Sequence, residues 1–274
     1  MRCEIFWDDT EFLSKIYRKT CNLTRELDIS IISDIIELYK ISRLLRRNDM
    51  NMNQKEFNKL FDHTLLKPFA TLDMFKKECM IAAEYGFCTI AINSGVTKEC
   101  VEILKGYDVK VDSAVGFPLG CMTIAAKAEE TRLAIADGAH EIDYVLNIGK
   151  LKEGNLDFIR EEMKTIVGIC RDKAVTSKVI FENCYLTDDE KRAVCDIALD
   201  VLPDFIKTST GFGPTSATVE DVKLMKSCVG DKIKVKAAGG IRDLETCLAM
   251  VNAGAERIGC SASVAIAEAY AKTL

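Results

Sequence analysis

From Phe57 onward the chain alternates eight times between a short β-branched stretch and a longer stretch of helical spacing. The strand candidates are 61–66 (FDHTLL), 88–92 (CTIAI), 110–117 (KVDSAVGF), 141–147 (EIDYVLN), 177–183 (SKVIFEN), 205–210 (FIKTST), 233–240 (IKVKAAGG) and 256–262 (ERIGCSA). Between them, 72–86, 122–138 and 243–254 repeat apolar residues with a helical period and close on Gly, a common helix terminator. Strictly alternating strands and helices imply a parallel sheet with right-handed crossovers. Eight such units predict an α/β fold, a closed (β/α)8 TIM barrel spanning 54–274. An open doubly wound sheet is the alternative, but it usually carries G-x-G-x-x-G after its first strand, and this chain has none.

Residues 1–53 differ in texture, with no Gly and no Pro. Ile31, Ile32, Ile35, Ile36, Leu38, Tyr39 and Leu45 fall at helical spacing within 28–47, and Asp28 or Ser30 is suited to cap that helix. The polar run 48–54 reads as a linker. An N-terminal helical extension, packed on the barrel or on another copy, is therefore expected ahead of the barrel domain. No run of roughly 18 apolar residues exists, so no membrane partner is expected. The opening MRCEIFWDDTEF is acidic and lacks the apolar core of a secretory signal. The net charge of -5 argues against a nucleic-acid partner. Twelve scattered cysteines without any C-x-x-C read as reduced thiols, which points to a cytoplasmic protein. The two histidines, His63 and His140, lack partners at metal-ligand spacing, so no metal and no cofactor is expected.

A barrel of this kind places its chemistry at the C-terminal ends of its strands. Asp62 and Thr64 lie on strand 1, Asp143 on strand 4, Lys207 on strand 6 and Lys236 on strand 7. Lysine inside an apolar strand is unusual, because a buried ammonium is costly unless paired or neutral. Two lysines on adjacent strands each disfavour the other's charge, and a lysine left neutral near pH 7 is a nucleophile for a carbonyl carbon. Asp143 is suited to proton transfer. Gly239 and Gly240 close strand 7, and Gly259 and Ser261 lie in the last part of strand 8, the usual barrel phosphate site. Gly211 offers a third backbone amide and Arg242 a charge, unless Arg242 is simply a surface residue.

The segments DHTLLKP (62–68), AVGFPLG (114–120), GAHEIDYVLNIG (138–149), FIKTSTGFG (205–213) and KAAGGIR (236–242) resemble the signature segments of the deoxyribose-phosphate aldolases. The resemblance covers about residues 57–270. It implies a class I, metal-independent aldolase cleaving the sugar phosphate 2-deoxy-D-ribose 5-phosphate to glyceraldehyde 3-phosphate and acetaldehyde. It also implies a homo-oligomer, dimer or tetramer. Lys207 matches the Schiff-base lysine, Lys236 the lysine that lowers its pKa, and Asp143 the aspartate of the proton relay. Asp62 and Thr64 match positions near the substrate hydroxyls. Gly211, Gly239, Gly240, Gly259 and Ser261 match the phosphate-binding positions. The chain departs from the family at Ala262, where a hydroxyl is lost unless Ser263 replaces it, at Ser216, where glycine is frequent, and at Ala91, where cysteine is frequent. Two other readings remain open on the residues alone: a sugar-phosphate isomerase or epimerase on the same barrel, and a non-catalytic phosphosugar-binding protein.

Overall fold

The computed structural model describes residues 52–274. The helix expected over 28–47 and most of the expected linker lie outside the described residues. At the end of that stretch Asn53 is already a helix cap. Its side chain accepts from the Glu56 amide at 3.0 Å, and Glu56 accepts in return from the Asn53 amide at 2.9 Å. This opens α1 (Gln54–Asn58), so the expected linker ends one residue before Gln54.

The eight expected strands form one closed, wholly parallel barrel in sequence order. They are β1 (Phe61–Leu65), β2 (Thr89–Asn93), β3 (Lys110–Val115), β4 (Glu141–Val145), β5 (Thr176–Ile180), β6 (Phe205–Lys207), β7 (Lys234–Ala238) and β8 (Arg257–Cys260). The larger helices between them are α2 (Leu72–Tyr85), α3 (Thr97–Ile103), α4 (Ile124–Ala136), α6 (Leu156–Asp172), α7 (Asp188–Val201), α8 (Val219–Val229) and α9 (Leu244–Asn252). A short α5 (Ile148–Lys152) follows β4, and α10 (Ser263–Ala271) follows β8. None of the described helices is long and apolar enough to cross a membrane.

All but one of the strands and the three expected helices are shorter than the sequence pattern implies, β2 being shifted by one residue instead, and capping explains several of the differences. Thr123 caps α4 by accepting from the Ala126 amide at 3.2 Å, so the helix begins at Ile124 rather than 122. Asn147 leaves β4 to cap α5, accepting from Lys150 at 3.1 Å. At the other ends Gly86, Gly138 and Gly254 take the left-handed conformation that closes α2, α4 and α9. After β6 and β7, Gly211, Gly239 and Gly240 do the same, so the backbone turns away from the sheet at the barrel mouth.

Alternation along each strand divides side chains between two surroundings. On β1, His63 faces the helices: its Nδ1 lies 2.6 Å from Ser263 Oγ on α10 and its Nε2 2.7 Å from Glu78 on α2. Asp62 and Thr64 face the barrel interior. The register aligns Asp112 with Glu141, Asp143 with Lys178, Lys207 with Lys236, and Lys236 with Arg257, all on that inner surface.

Candidate active site

The inner surface is polar to an unusual degree. Four carboxylates (Asp62, Asp112, Glu141, Asp143) meet Lys178, Lys207, Lys236 and Arg257 inside the barrel, every one except Arg257 buried. Burying so many charges is tolerable only if each is paired and hydrogen-bonded. Asp143 is the hub. Its Oδ2 accepts from Lys207 Nζ at 2.6 Å and from Lys236 Nζ at 2.7 Å, while its Oδ1 accepts from Lys178 Nζ at 2.6 Å. Lys178 also reaches Asp112 at 2.7 Å and Glu141 at 2.8 Å. Lys236 reaches Asp62 at 2.5 Å and Asp112 at 3.0 Å. Arg257 closes the lower end by donating to Asp62 at 2.7 Å and Glu141 at 3.3 Å.

The cluster sets each group's protonation differently. Burial pushes the Lys207 ammonium below its ordinary range, Asp143 pulls it back, and Lys236 adds to the depression. Lys236 goes the other way. Burial opposes its charge, but Asp112, Asp143 and Asp62 together hold it above the ordinary lysine range. The two lysines therefore do not depress one another equally, although they sit side by side on adjacent strands. Lys207 has one carboxylate partner and is the cation that is readily neutralised. Lys236 has three and stays charged. Burial also opposes the Asp143 charge, yet Lys178, Lys207 and Lys236 keep the carboxyl well below the usual range.

Above this cluster a cavity of about 680 Å³ opens at the C-terminal ends of the strands. Lys207 is on its wall, together with Thr64, Gly211, Gly239, Gly240, Arg242, Gly259 and Ser261. Eight of the eleven residues singled out in sequence thus line one space, while Asp143 and Lys236 lie buried beneath it, in contact with Lys207 or its partner carboxylate. Glycine is required on one side of it: a Cβ on Gly240 would lie 2.5 Å from Ser216 Cβ, and one on Gly239 3.2 Å from Gly211 Cα. Ser216 therefore packs against the loop after β7 and leaves no room for a side chain there.

Two expectations need correction. Asp62 does not line the cavity. It precedes inward-facing Thr64 by two residues, so it sits one layer deeper, fully buried between Lys236 and Arg257. Ser263 does not replace the hydroxyl lost at Ala262, because its Oγ is buried against His63 on the outer side of the barrel. Ala91 pairs with Thr64 and Asp112 at mid-strand, whereas Cys88 lies below the N-terminal end of β2.

Other participants went unnoticed in the sequence. Lys178 carries the same signal as Lys207 and Lys236, a lysine inside a β-branched strand, but it stands near the start of the expected strand 177–183, away from the end where the chemistry was sought. Glu182, read as part of strand 5, is a buried residue with φ of 45°, a left-handed conformation rarely adopted outside glycine. Its carboxylate accepts from the Thr210 amide at 3.3 Å and from the Thr210 hydroxyl, anchoring the loop that follows Lys207. Among the described residues one group has the spacing of a cation site: oxygens of Asp62, Asp112 and Glu141 within 4.8 Å of one another. Lys178, Lys236 and Arg257 already provide the positive charge that this trio needs.

A catalogue of protein-family models contains none that matches the chain. Individual proteins do match. The chain is 54% identical over 220 residues to a deoxyribose-phosphate aldolase of Lactobacillus acidophilus, covering 80% of this chain and 93% of that one. The chain belongs to the deoxyribose-phosphate aldolase family. A second member, from Bacteroides thetaiotaomicron, is 50% identical over 220 residues, 80% of this chain and 92% of its own. Among solved structures, the tetrameric deoxyribose-phosphate aldolase of Aeropyrum pernix superimposes with a TM-score of 0.77 at 26% identity, covering 86% of this chain and 98% of that one.

Proposed function

We infer that this chain cleaves 2-deoxy-D-ribose 5-phosphate to D-glyceraldehyde 3-phosphate and acetaldehyde, with Lys207 as the Schiff-base nucleophile. The observation that carries the reading is Lys207 itself. It is a buried lysine with a depressed pKa on the wall of the cavity, 2.6 Å from a carboxylate able to exchange its proton. The phosphate is assigned to Gly211, Gly239, Gly240, Gly259 and Ser261, with Arg242 at the rim adding charge. Small residues there let backbone amides approach the oxygens, and α10 begins beside them with no side-chain cap on its first turn.

In the proposed sequence, neutral Lys207 Nζ adds to C1 of the open-chain aldehyde, and the carbinolamine loses water to give a protonated imine. The C3 hydroxyl gives its proton to Asp143, directly or through a water. The C2–C3 bond breaks, its electrons flow into the imine, and glyceraldehyde 3-phosphate departs. The enamine takes a proton at C2, and hydrolysis releases acetaldehyde and free Lys207. Thr64 is assigned to a substrate hydroxyl. Asp62 acts below it by holding Lys236.

Incubating the purified chain with 2-deoxyribose 5-phosphate in EDTA tests the reaction. Equal amounts of the two aldehydes are expected, and a folded protein releasing neither would refute it. Lys236→Leu tests the electrostatics. Removing that cation raises the Lys207 pKa, so the acidic limb of kcat/KM is expected to move up by about one pH unit. An unmoved limb in a folded variant would remove Lys236 from this role.

A homo-oligomer, dimer or tetramer, is also proposed. Its support is the tetramer named for the Aeropyrum relative. Light scattering is expected to give a multiple of the chain mass, and a monomer at working concentration would contradict it. A cytoplasmic location is proposed from the ten free cysteines among the described residues, six of them buried. Cell fractionation that put the protein outside the cytoplasm would overturn that.

A further inference from the structure

Asp112 is a carboxylate with no assigned part in this chemistry, and its surroundings are uneven. Oδ2 lies 2.7 Å from Lys178 Nζ and 3.0 Å from Lys236 Nζ, but Oδ1 is buried with no hydrogen-bond partner. A buried carboxylate with one bare oxygen is poorly compensated, which favours its neutral acid. The charges facing it come from β1 (Asp62), β4 (Glu141 and Asp143), β5 (Lys178), β6 (Lys207) and β7 (Lys236). The adjacent strand β2 brings only uncharged Thr89 and Ala91.

Charge counting sharpens the point. Four carboxylates face four cations inside the barrel. A nucleophilic Lys207 must be neutral, which leaves three cations against four anions. One protonated carboxyl restores the balance. Asp143 and Asp62 are held ionised by their lysine and arginine partners, whereas burial and the neighbouring Asp143 push Asp112 up to about 6. A hydrogen-bonded path joins the two ends. Asp112 Oδ2 lies 3.0 Å from Lys236 Nζ, Lys236 Nζ lies 2.7 Å from Asp143 Oδ2, and Asp143 Oδ2 lies 2.6 Å from Lys207 Nζ.

We propose that Asp112 is the charge partner of Lys207, acting through Lys236 and Asp143: its carboxyl holds a proton while Lys207 is a neutral amine and is ionised while Lys207 bears a cation. The proposal rests on the Schiff-base reading of Lys207. Addition of a neutral amine to an aldehyde followed by loss of water to give a protonated imine consumes one proton. Asp112 supplies it along the path, the carbinolamine hydroxyl leaves as water, and the cluster ends with a carboxylate at Asp112 and a cation at Lys207. Hydrolysis of the product imine returns the proton. The net charge of the barrel interior is the same before and after. Asp112 is thus a positioning residue that never touches substrate.

Asp112→Asn in the full chain removes the anion and keeps the shape. Without it any cation on Lys207 Nζ is less stable, whether ammonium or iminium. The amine then becomes neutral at lower pH, and the protonated imine is lost at lower pH. The acidic limb of the kcat/KM profile and the basic limb of the kcat profile for 2-deoxyribose 5-phosphate are expected to move down by about one unit, and borohydride trapping on Lys207 with them. In carbon NMR of aspartate-labelled protein, a carboxyl titrating near pH 6 in the parent is expected to vanish in the variant. A uniform loss of rate with both limbs unmoved, or no such carboxyl in the parent, overturns the proposal. Asp112→Ser serves as the second variant if the Asn form does not fold, with the same expected shift and the same contrary result. Absence of trapping in the parent at every pH would instead count against Lys207 as the nucleophile.

Discussion

Lys207→Leu is expected to lose cleavage of 2-deoxyribose 5-phosphate by about 10⁴-fold or more, the scale on which removal of a covalent nucleophile is felt. No neighbour can replace it. Lys236 is fully buried and held charged by three carboxylates, and Lys178 lies a layer deeper, paired to Asp112, Glu141 and Asp143. A charged ammonium has no lone pair to give to a carbonyl. The fold is expected to survive, because Asp143 keeps two of its three cations and an apolar side chain of similar length costs less to bury than an ammonium. Thermal melting of the variant and parent should therefore be close while the rates are far apart. A variant that melts normally and retains even a hundredth of the parent rate would remove Lys207 from the mechanism.

Asp143→Asn should have the next largest effect, and on two properties at once. It withdraws the hub carboxylate from Lys178, Lys207 and Lys236, leaving buried cations short of an anion. Breaking a buried pair on one side typically costs about 3–5 kcal/mol. The catalytic loss should be about 10²–10⁴-fold, the usual worth of a positioned acid–base group. The stability loss has a definite pH dependence. The native carboxyl titrates well below its unfolded value of about 3.9, so its stabilising contribution is complete above that value and fades as pH falls through the native one. Urea denaturation should separate parent and variant clearly at pH 7 and bring them together at low pH. Equal stability at pH 7 would mean that the interior charges are balanced without Asp143.

The barrel was legible because its signal is long-range and repeated. Eight β-branched runs separated by helical periods admit few topologies, and all eight became strands in register order. Their ends were not legible to the residue. Capping by Thr123 and Asn147 and the left-handed turns at Gly211, Gly239 and Gly240 decide where pairing stops, and those are local geometries that apolar patterning does not report. At the site, Lys207, Lys236 and Asp143 could be read because charges inside apolar strands are costly enough to demand a reason. Lys178 and Asp112 obey the same logic and sit at mid-strand like Asp143 and Lys236, but neither falls within a segment that carries the family resemblance, so they were passed over. Asp62 shows the opposite error. Its depth depends on how β1 is staggered against β8, where it pairs with Gly259, and a single strand's sequence does not contain that stagger. Whether Ser263 replaces the hydroxyl lost at Ala262 was open in the sequence, because only the folded helix reveals that its hydroxyl turns outward to His63.

The most direct test of Lys207 as the Schiff-base nucleophile is borohydride reduction of the full chain with acetaldehyde or 2-deoxyribose 5-phosphate in the presence of EDTA, followed by peptide mass mapping. One reduced adduct on the peptide containing Lys207, absent in Lys207→Leu, is the predicted result. No adduct from a folded, substrate-saturated protein, or an adduct on Lys236 or Lys178 instead, would contradict it.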